Sequence, residues 1–309
     1  MDRKEADPMR FKRLLIALLL LVNSQWSIGY AEHVFEVGVH GGIADWTSRP
    51  VYVNKQMGFH GGGQIYYDYL SPYVVGFRTG LTLDCHNAGF GRKDYEDNYS
   101  TIDVEHDRME INYSLRELSE RYTTWSVGIP LQLALSQKNV LLLLGAKAAF
   151  PLTTTWEQTV KNVSLYVYYP TYDNRVDYPY NDVVLTQKDK VQLPKIQWWL
   201  SAELSYMIPL NKWAHTNRSY IIVGAYFDYC LSNCKPVQDE AQSVFMLTDT
   251  RDGFPLEPVQ TPLIESYHQG RPIMTQCALF DIGIKISFAL ASRESSRRPS
   301  YPCHCLGVW

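Results

Sequence analysis

Beyond Ala31 the chain has no apolar run approaching the ~18 residues that mark a membrane-spanning helix. Its mean hydropathy of −0.23 rules out a bundle of such helices. It has no basic excess either: 29 Lys and Arg face 32 Asp and Glu, a net charge of −3, which excludes the electrostatic footprint of a nucleic-acid binder. Cysteine is sparse, six in 309 residues, too few for a disulfide scaffold. No Gly-x-Ser-x-Gly elbow occurs, which removes one local signature of a serine hydrolase. Aromatic residues, by contrast, are plentiful, with 22 Tyr, 11 Phe and 8 Trp. A sheet with aromatic girdles at two membrane interfaces needs such an excess. A tyrosine-rich secreted sandwich would share it, so arrangement has to decide.

The N-terminus carries an export signal. Arg10, Lys12 and Arg13 precede the apolar run from Leu14 to Val22, and small residues Gly29 and Ala31 stand where a signal peptidase would cut after Ala31. Residues 1–31 therefore read as a signal peptide, with Met9 a better start than Met1 and 1–8 an over-extended gene start. No Cys follows the run, so no lipoprotein anchor is expected.

From Glu32 onward the dominant period is two. Phe35, Val37, Val39, Gly41 and Ile43 alternate with Glu36, Gly38, His40 and Gly42. Ile65, Tyr67 and Tyr69 alternate with Gln64, Tyr66 and Asp68, and Tyr73 to Leu83 follows the Ser71-Pro72 turn in the same manner. Further alternating segments run from Trp125 to Leu135, Val140 to Ala148, Ile196 to Tyr206, Ile221 to Tyr229 and Phe280 to Phe288. That gives eight strands of about the 9–11 residues a tilted membrane strand requires. The connections alternate as well: 45–57, 85–121, 151–194 and 231–274 are long, whereas 71–72, 137–139 and 209–217 are short. Long loops on one rim and short turns on the other are the pattern of an outer-membrane barrel. The expected fold class is all-β, a single antiparallel up-and-down transmembrane β-barrel over 32–290, followed by a short periplasmic tail over 291–309. Strand-like segments at 163–169 and 183–187 are expected as a hairpin above the membrane; read as barrel strands instead, they would make ten.

With the strand order in place, the chain resembles the outer-membrane β-barrel domain proteins abundant in the Bacteroidota, of the PorT-like and OmpA-like N-terminal barrel kind. The resemblance lies in Val37-Gly38-Val39-His40-Gly41-Gly42, in Gly58-Phe59-His60-Gly61-Gly62-Gly63, in Gly76-Phe77-Arg78-Thr79-Gly80-Leu81, in Val127-Gly128-Ile129-Pro130-Leu131, and in the closing Phe280-Asp281-Ile282-Gly283-Ile284-Lys285-Ile286-Ser287-Phe288. Such barrels usually end on an aromatic in the last strand; here residues 289–309 follow Phe288. The resemblance implies residence in the cell outer membrane among its lipid and lipopolysaccharide, and allows envelope protein partners of a secretion or uptake machine.

Glu36, Gln64, Asp68, Arg78, Gln132, Lys147, Glu203, Asp228, Asp281 and Lys285 are expected to face the lumen. An eight-stranded interior is only wide enough for side chains, so these charges are expected to pair into a plug; a narrow gated pore is the other reading. Enzymatic barrels need a nucleophile and base in reach of each other. His86, His106, His215, His268 and His304 offer bases by number alone, with His86 and His106 assigned to one long loop and His268 to another. Cys303-His304-Cys305 is the compact ligand cluster of the tail, too close-spaced to close a tetrahedral zinc site alone. A disulfide pinning the loops is open among Cys85, Cys230, Cys234 and Cys277. The expectation is therefore a non-enzymatic barrel, without catalytic residues, cofactor or metal, that presents loops for adhesion, envelope integrity or partner assembly. An accessory part of a secretion or uptake system, a narrow channel and a lipid-modifying enzyme are the alternatives.

Overall fold

A computed structural model describes residues 32–47, 50–71, 75–103, 105–137, 139–178, 184–210, 217–233, 242–248 and 257–293. The signal segment, residues 294–309 of the tail, Cys234, His215, His304, Cys303 and Cys305 lie outside the described residues, while 291–293, expected as the start of the tail, continue the last strand. Eight strands form the body: β1 (Glu32–Trp46), β2 (Asn54–Leu70), β3 (Val75–Ile102), β4 (Arg108–Gln137), β5 (Val140–Tyr169), then β8 (Gln197–Pro209), β9 (Asn217–Cys230) and β15 (Leu279–Arg293). Between them lie β6 (Asn174–Tyr178), β7 (Val184–Lys190), β10 (Gln242–Ser243), β11 (Phe245–Thr248), β12 (Glu257–Gln260), β13 (Ser266–His268) and β14 (Arg271–Pro272). Each body strand pairs antiparallel with its neighbours, β4 pairs β5, and β1 pairs β15, so the sheet closes on itself. The fold is a single up-and-down β-barrel of eight strands.

The period of two dictates which way each side chain points. Val39, Leu131 and Ile284 face outward and are 64%, 67% and 64% exposed, among many exposed Val, Ile, Leu and Phe around the ring. So large a continuous apolar exterior is untenable in water, and it is the lipid-facing belt of a transmembrane barrel. All ten residues assigned to the lumen are buried. Below them, at the rim holding the ends of the described chain, Val34, Leu70, Leu141, Leu143, Met207 and Ile222 form an apolar cluster inside the ring.

The opposite rim is where expectation and structure part. Strands β3, β4 and β5 run for 28, 30 and 30 residues, far more than the ~9–11 that cross a bilayer. The segment 85–121, expected as a loop, is a β-hairpin whose connection is only 103–107, and the first half of 151–194 is the upper part of β5. The reason is local. Asp94 and Asn162 adopt positive φ, 53° each, and Arg116 between them drops out of both ladders. At that level the inward set changes parity together in three strands, from Phe90 to Tyr95, from Leu118 to Leu115, and from Val160 to Val163. Alternation read along the sequence breaks there although the strands continue.

The expected hairpin above the membrane exists in altered form: 163–169 belongs to β5, β6 folds back on it, and β7 pairs Thr155 to Lys161 lower on β5. Neither joins the ring, which settles eight over ten. The segment 231–274, also expected as a loop, holds two small sheets, β10-β13-β14 and β11-β12. Its Val244, Phe245, Leu263, Ile264, Ile273 and Met274 pack against the inward face of the raised wall in one core. That core reaches down to Trp46, Phe90, Tyr122 and Trp199 at the barrel mouth. The fold is thus a barrel with a folded cap seated on its mouth.

If the belt faces lipid, Val39→Arg should lower stability by about 2–4 kcal/mol, measured by denaturant unfolding from lipid vesicles. Arg at exposed Lys188, on the raised wall, should leave it within about 0.5 kcal/mol. Equal effects at both positions would contradict the placement of the belt.

Candidate functional site

Two features could carry function: the polar stack inside the barrel and the cap above it. The lower tier of the stack is organised by Arg78 on β3. Its Nε and Nη2 donate to Asp68 at 2.5 and 2.8 Å, Nη2 also donates to Glu36 at 2.6 Å, and Nη1 reaches Glu203 on β8 at 3.0 Å. The guanidinium thereby ties β1, β2, β3 and β8 across the full bore, over the ring of Tyr66 at 4.7 Å. Lys285 bonds Glu36 at 2.9 Å and also pairs with Glu203. Gln64 donates to Glu36 and to Ser287, each at 3.0 Å.

The upper tier centres on Lys147, which donates to Asp228 at 2.6 Å and to Asp84 at 3.3 Å. Ser201 donates to the other Asp228 oxygen at 2.5 Å, and Thr82 to Asp84 at 2.8 Å. On the opposite wall three histidines from adjacent strands stand together. The His40 and His60 rings lie 4.9 Å apart, and the His60 and His86 rings stack at 4.4 Å. His40 Nε2 is 2.9 Å from Asp84, and His86 Nδ1 is 3.1 Å from Asp281. Potential ligand atoms of His40, His60 and Asp84 fall within 4.8 Å of one another, as do those of His60, His86 and Asp281. A cavity of ≈ 20 Å³, room for about one water, opens beside His40, His60, Asp84 and Lys147.

Above the stack the cap is pinned by two buried carboxylates. Glu120 accepts from the Leu263 backbone N–H at 2.9 Å, from Gln158 at 2.6 Å and from the Tyr122 hydroxyl. Burial pushes Glu120 up to about 8, against the pull of those donors. Asp97 accepts from Tyr113 at 3.1 Å and from the Gln269 backbone N–H at 3.1 Å, and faces His268 at 3.3 Å. Gln269 and Gly270, with φ of 47° and 74°, make the tight turn that brings β14 back beside β13.

Several sequence assignments move. His86 is in the lumen, not in a loop, because β3 continues past Cys85. His106 sits in the exposed 103–107 turn with φ of 69°, and His268 packs in the cap against Tyr52 and Tyr95. Cys85 is a buried thiol outside any disulfide; Cys230 bonds the Ser232 carbonyl at 3.4 Å, and Cys277 lies 3.9 Å from Met274. His40 and His60 escaped notice as a pair. Each has inward parity in its own strand, yet they meet because the ladder sets Gly42 opposite His60 and Gly62 opposite His40.

No family model matches the chain, and no curated protein matches it. Among solved structures it is similar to Ail, the attachment invasion locus protein of Yersinia pestis, at 8% identity over 85% of this chain and 99% of that one, with a TM-score of 0.23. The complex of Ail with the heparin analogue sucrose octasulfate matches at 7% identity over the same shares, again with a TM-score of 0.23. Any assignment of function has to come from the chain's own geometry.

Two outcomes follow from that geometry. Arg78→Met takes the ion pair from buried Asp68 and half of the pairing from Glu36 and Glu203, which keep Lys285, and should cost about 3–5 kcal/mol in the denaturant midpoint analysis. Glu120 holds its proton more tightly in the folded chain than its ordinary value of 4.5. Its contribution is therefore complete below 4.5 and is lost as pH rises towards 8. Hydrogen-exchange protection of 257–274, corrected for intrinsic rates, should fall across that window, and Glu120→Gln should flatten the fall.

Proposed function

We propose that this chain is a non-enzymatic outer-membrane protein whose barrel is an anchor and whose working surface is the cap on the far rim. The observation that carries this reading is the filled bore. An apolar cluster closes the lower end, the Arg78 and Lys147 tiers fill the middle, and the cap core closes the mouth. A barrel built that way positions something; it does not conduct. The belt sits among outer-membrane lipid and lipopolysaccharide, the terminal rim faces the periplasm, and the cap faces outward.

The raised wall that surrounds the cap supports a contact role because it carries aromatic groups at its tip. The β5–β6 turn rises above the membrane with Tyr172 63% exposed and Tyr166 beneath Arg175, whose guanidinium carbon lies 3.9 Å from the ring centre. Tyr172 bonds Asp107 in the neighbouring turn at 2.8 Å, which joins the two hairpin tips into one surface. Tyr and Arg held in place are the residue types that dominate protein–protein binding energy. Adhesion or assembly with an envelope protein is the use such a surface fits. A role as an accessory part of a secretion or uptake machine would employ the same face.

An epitope inserted at 171–173 should be labelled by antibody on intact cells, and one inserted at 138–139 only after permeabilisation. Labelling of the second and not the first would reverse the orientation and overturn the proposal. In planar bilayers the purified chain should give no resolved conductance steps; steady unitary currents would restore the channel reading.

A further inference from the structure

We propose that the barrel interior holds one divalent metal ion of the zinc type, bound by His40 Nε2, His60 Nε2 and Asp84 Oδ1. Three observations converge on these atoms. First, the three atoms are buried and converge on one point: His40 Nε2 and His60 Nε2 lie 2.9 and 3.7 Å from Asp84 Oδ1. Metal–ligand lengths of about 2.0–2.2 Å place neighbouring ligands of a tetrahedral ion roughly 3.3 Å apart, between those two separations.

Second, the surrounding hydrogen bonds hold the three side chains in this orientation. His40 Nδ1 lies 3.2 Å from Gln64 Oε1. Gln64 is fixed in that orientation because its Nε2 donates to Glu36 and Ser287. His40 Nδ1 therefore donates to Gln64, which turns Nε2 towards Asp84, the orientation that outer hydrogen bonds give a metal-bound histidine. His60 Nδ1 is likewise occupied, by the Tyr226 hydroxyl at 2.9 Å. Asp84 Oδ2 is held by Thr82 and Lys147, which leaves Oδ1 for the ion. Gly62 keeps the space open: a Cβ there would stand 2.9 Å from His40 Nε2.

Third, the fixed charge inside the barrel leans negative. Between the two apolar ends lie the buried carboxylates Glu36, Asp68, Asp84, Glu203, Asp228 and Asp281, against only Arg78, Lys147 and Lys285. The carboxylates outnumber the Arg and Lys cations by three, with histidines set among them, His86 at 3.1 Å from Asp281. A divalent ion would add two positive charges where buried anions need partners. Two imidazoles and one carboxylate select zinc or a neighbouring transition ion over calcium or magnesium, which prefer oxygen alone. The adjoining ≈ 20 Å³ cavity accommodates a water as fourth ligand. Because both ends of the bore are closed, the ion enters during assembly and stays as part of the interior.

The test is metal analysis of the full chain, folded into detergent with zinc and then passed through chelating resin. Its gel-shift on boiling serves as an independent check of the closed barrel. About one zinc per chain should survive, and cobalt substitution should give the intense visible bands of a four-coordinate site. His40→Asn and Asp84→Asn should each reduce retention at least tenfold, whereas His86→Asn should retain the ion. A compact, heat-modifiable wild-type chain that keeps no metal overturns the proposal. So does full retention by both His40→Asn and Asp84→Asn, or loss in His86→Asn with retention in His40→Asn, which would move the ion to the His60, His86 and Asp281 group.

Discussion

The ladder between β1 and β15, running from Glu32 opposite Arg293 to Trp46 opposite Leu279, joins the first body strand to the last and turns a sheet into a cylinder. Closure removes the sheet edges from the ring itself, which is what allows backbone to sit in lipid at all. It also fixes the bore. Eight strands leave an interior that side chains fill, so each inward position must be apolar, small or paired. The apolar cluster below, the Arg78 and Lys147 tiers, and the glycines facing the histidines are successive answers to that one constraint. Arg78 shows its force most directly, since its five donors are satisfied by carboxylates from three other strands.

Much of this was legible along the chain because side-chain direction in a strand is a local property. Knowing that Val37 faces out suffices to place Glu36 inside, and the same argument located Arg78, Lys147, Asp281 and Lys285 without knowledge of any neighbour. What parity cannot supply is register. His40, His60 and His86 are far apart in sequence and each looked like one inward residue among many. They become a cluster only through the pairings of His60 with His86 and of Gly62 with Asp84. The glycines in these strands looked like family punctuation; in the structure, Gly62 is the room into which an imidazole turns.

The raised wall was illegible for a different reason. Its core-facing residues, Tyr95, Tyr113, Leu115, Val163 and Leu165, obey the same period of two as the barrel strands. The fault at Asp94, Arg116 and Asn162 shifts that period by one residue, and the charged residues around it imitate a polar loop. Lys161 and Glu117 pair across the outer face there at 2.9 Å, a cross-strand contact of an intact sheet. The fault also has a structural use. By changing parity in three strands at one level, it keeps Tyr113 turned towards Phe245 and Tyr95 towards His268 of the cap.

Barrel and cap are therefore not an anchor with tethered loops but one continuous core that changes character with height. Trp199 marks the boundary: its ring stacks on His86 at 5.2 Å and lies under Lys147 at 5.3 Å, yet it belongs to the same apolar cluster as Phe245 and Ile273. A shift in the histidine tier would be felt by Trp199, and through it by the floor of the cap. Packed interiors transmit such strain because they have no slack to absorb it. An interior that fixes the three histidines thus also fixes the base on which the outer surface stands. That connects the least accessible part of the chain to the cap above it.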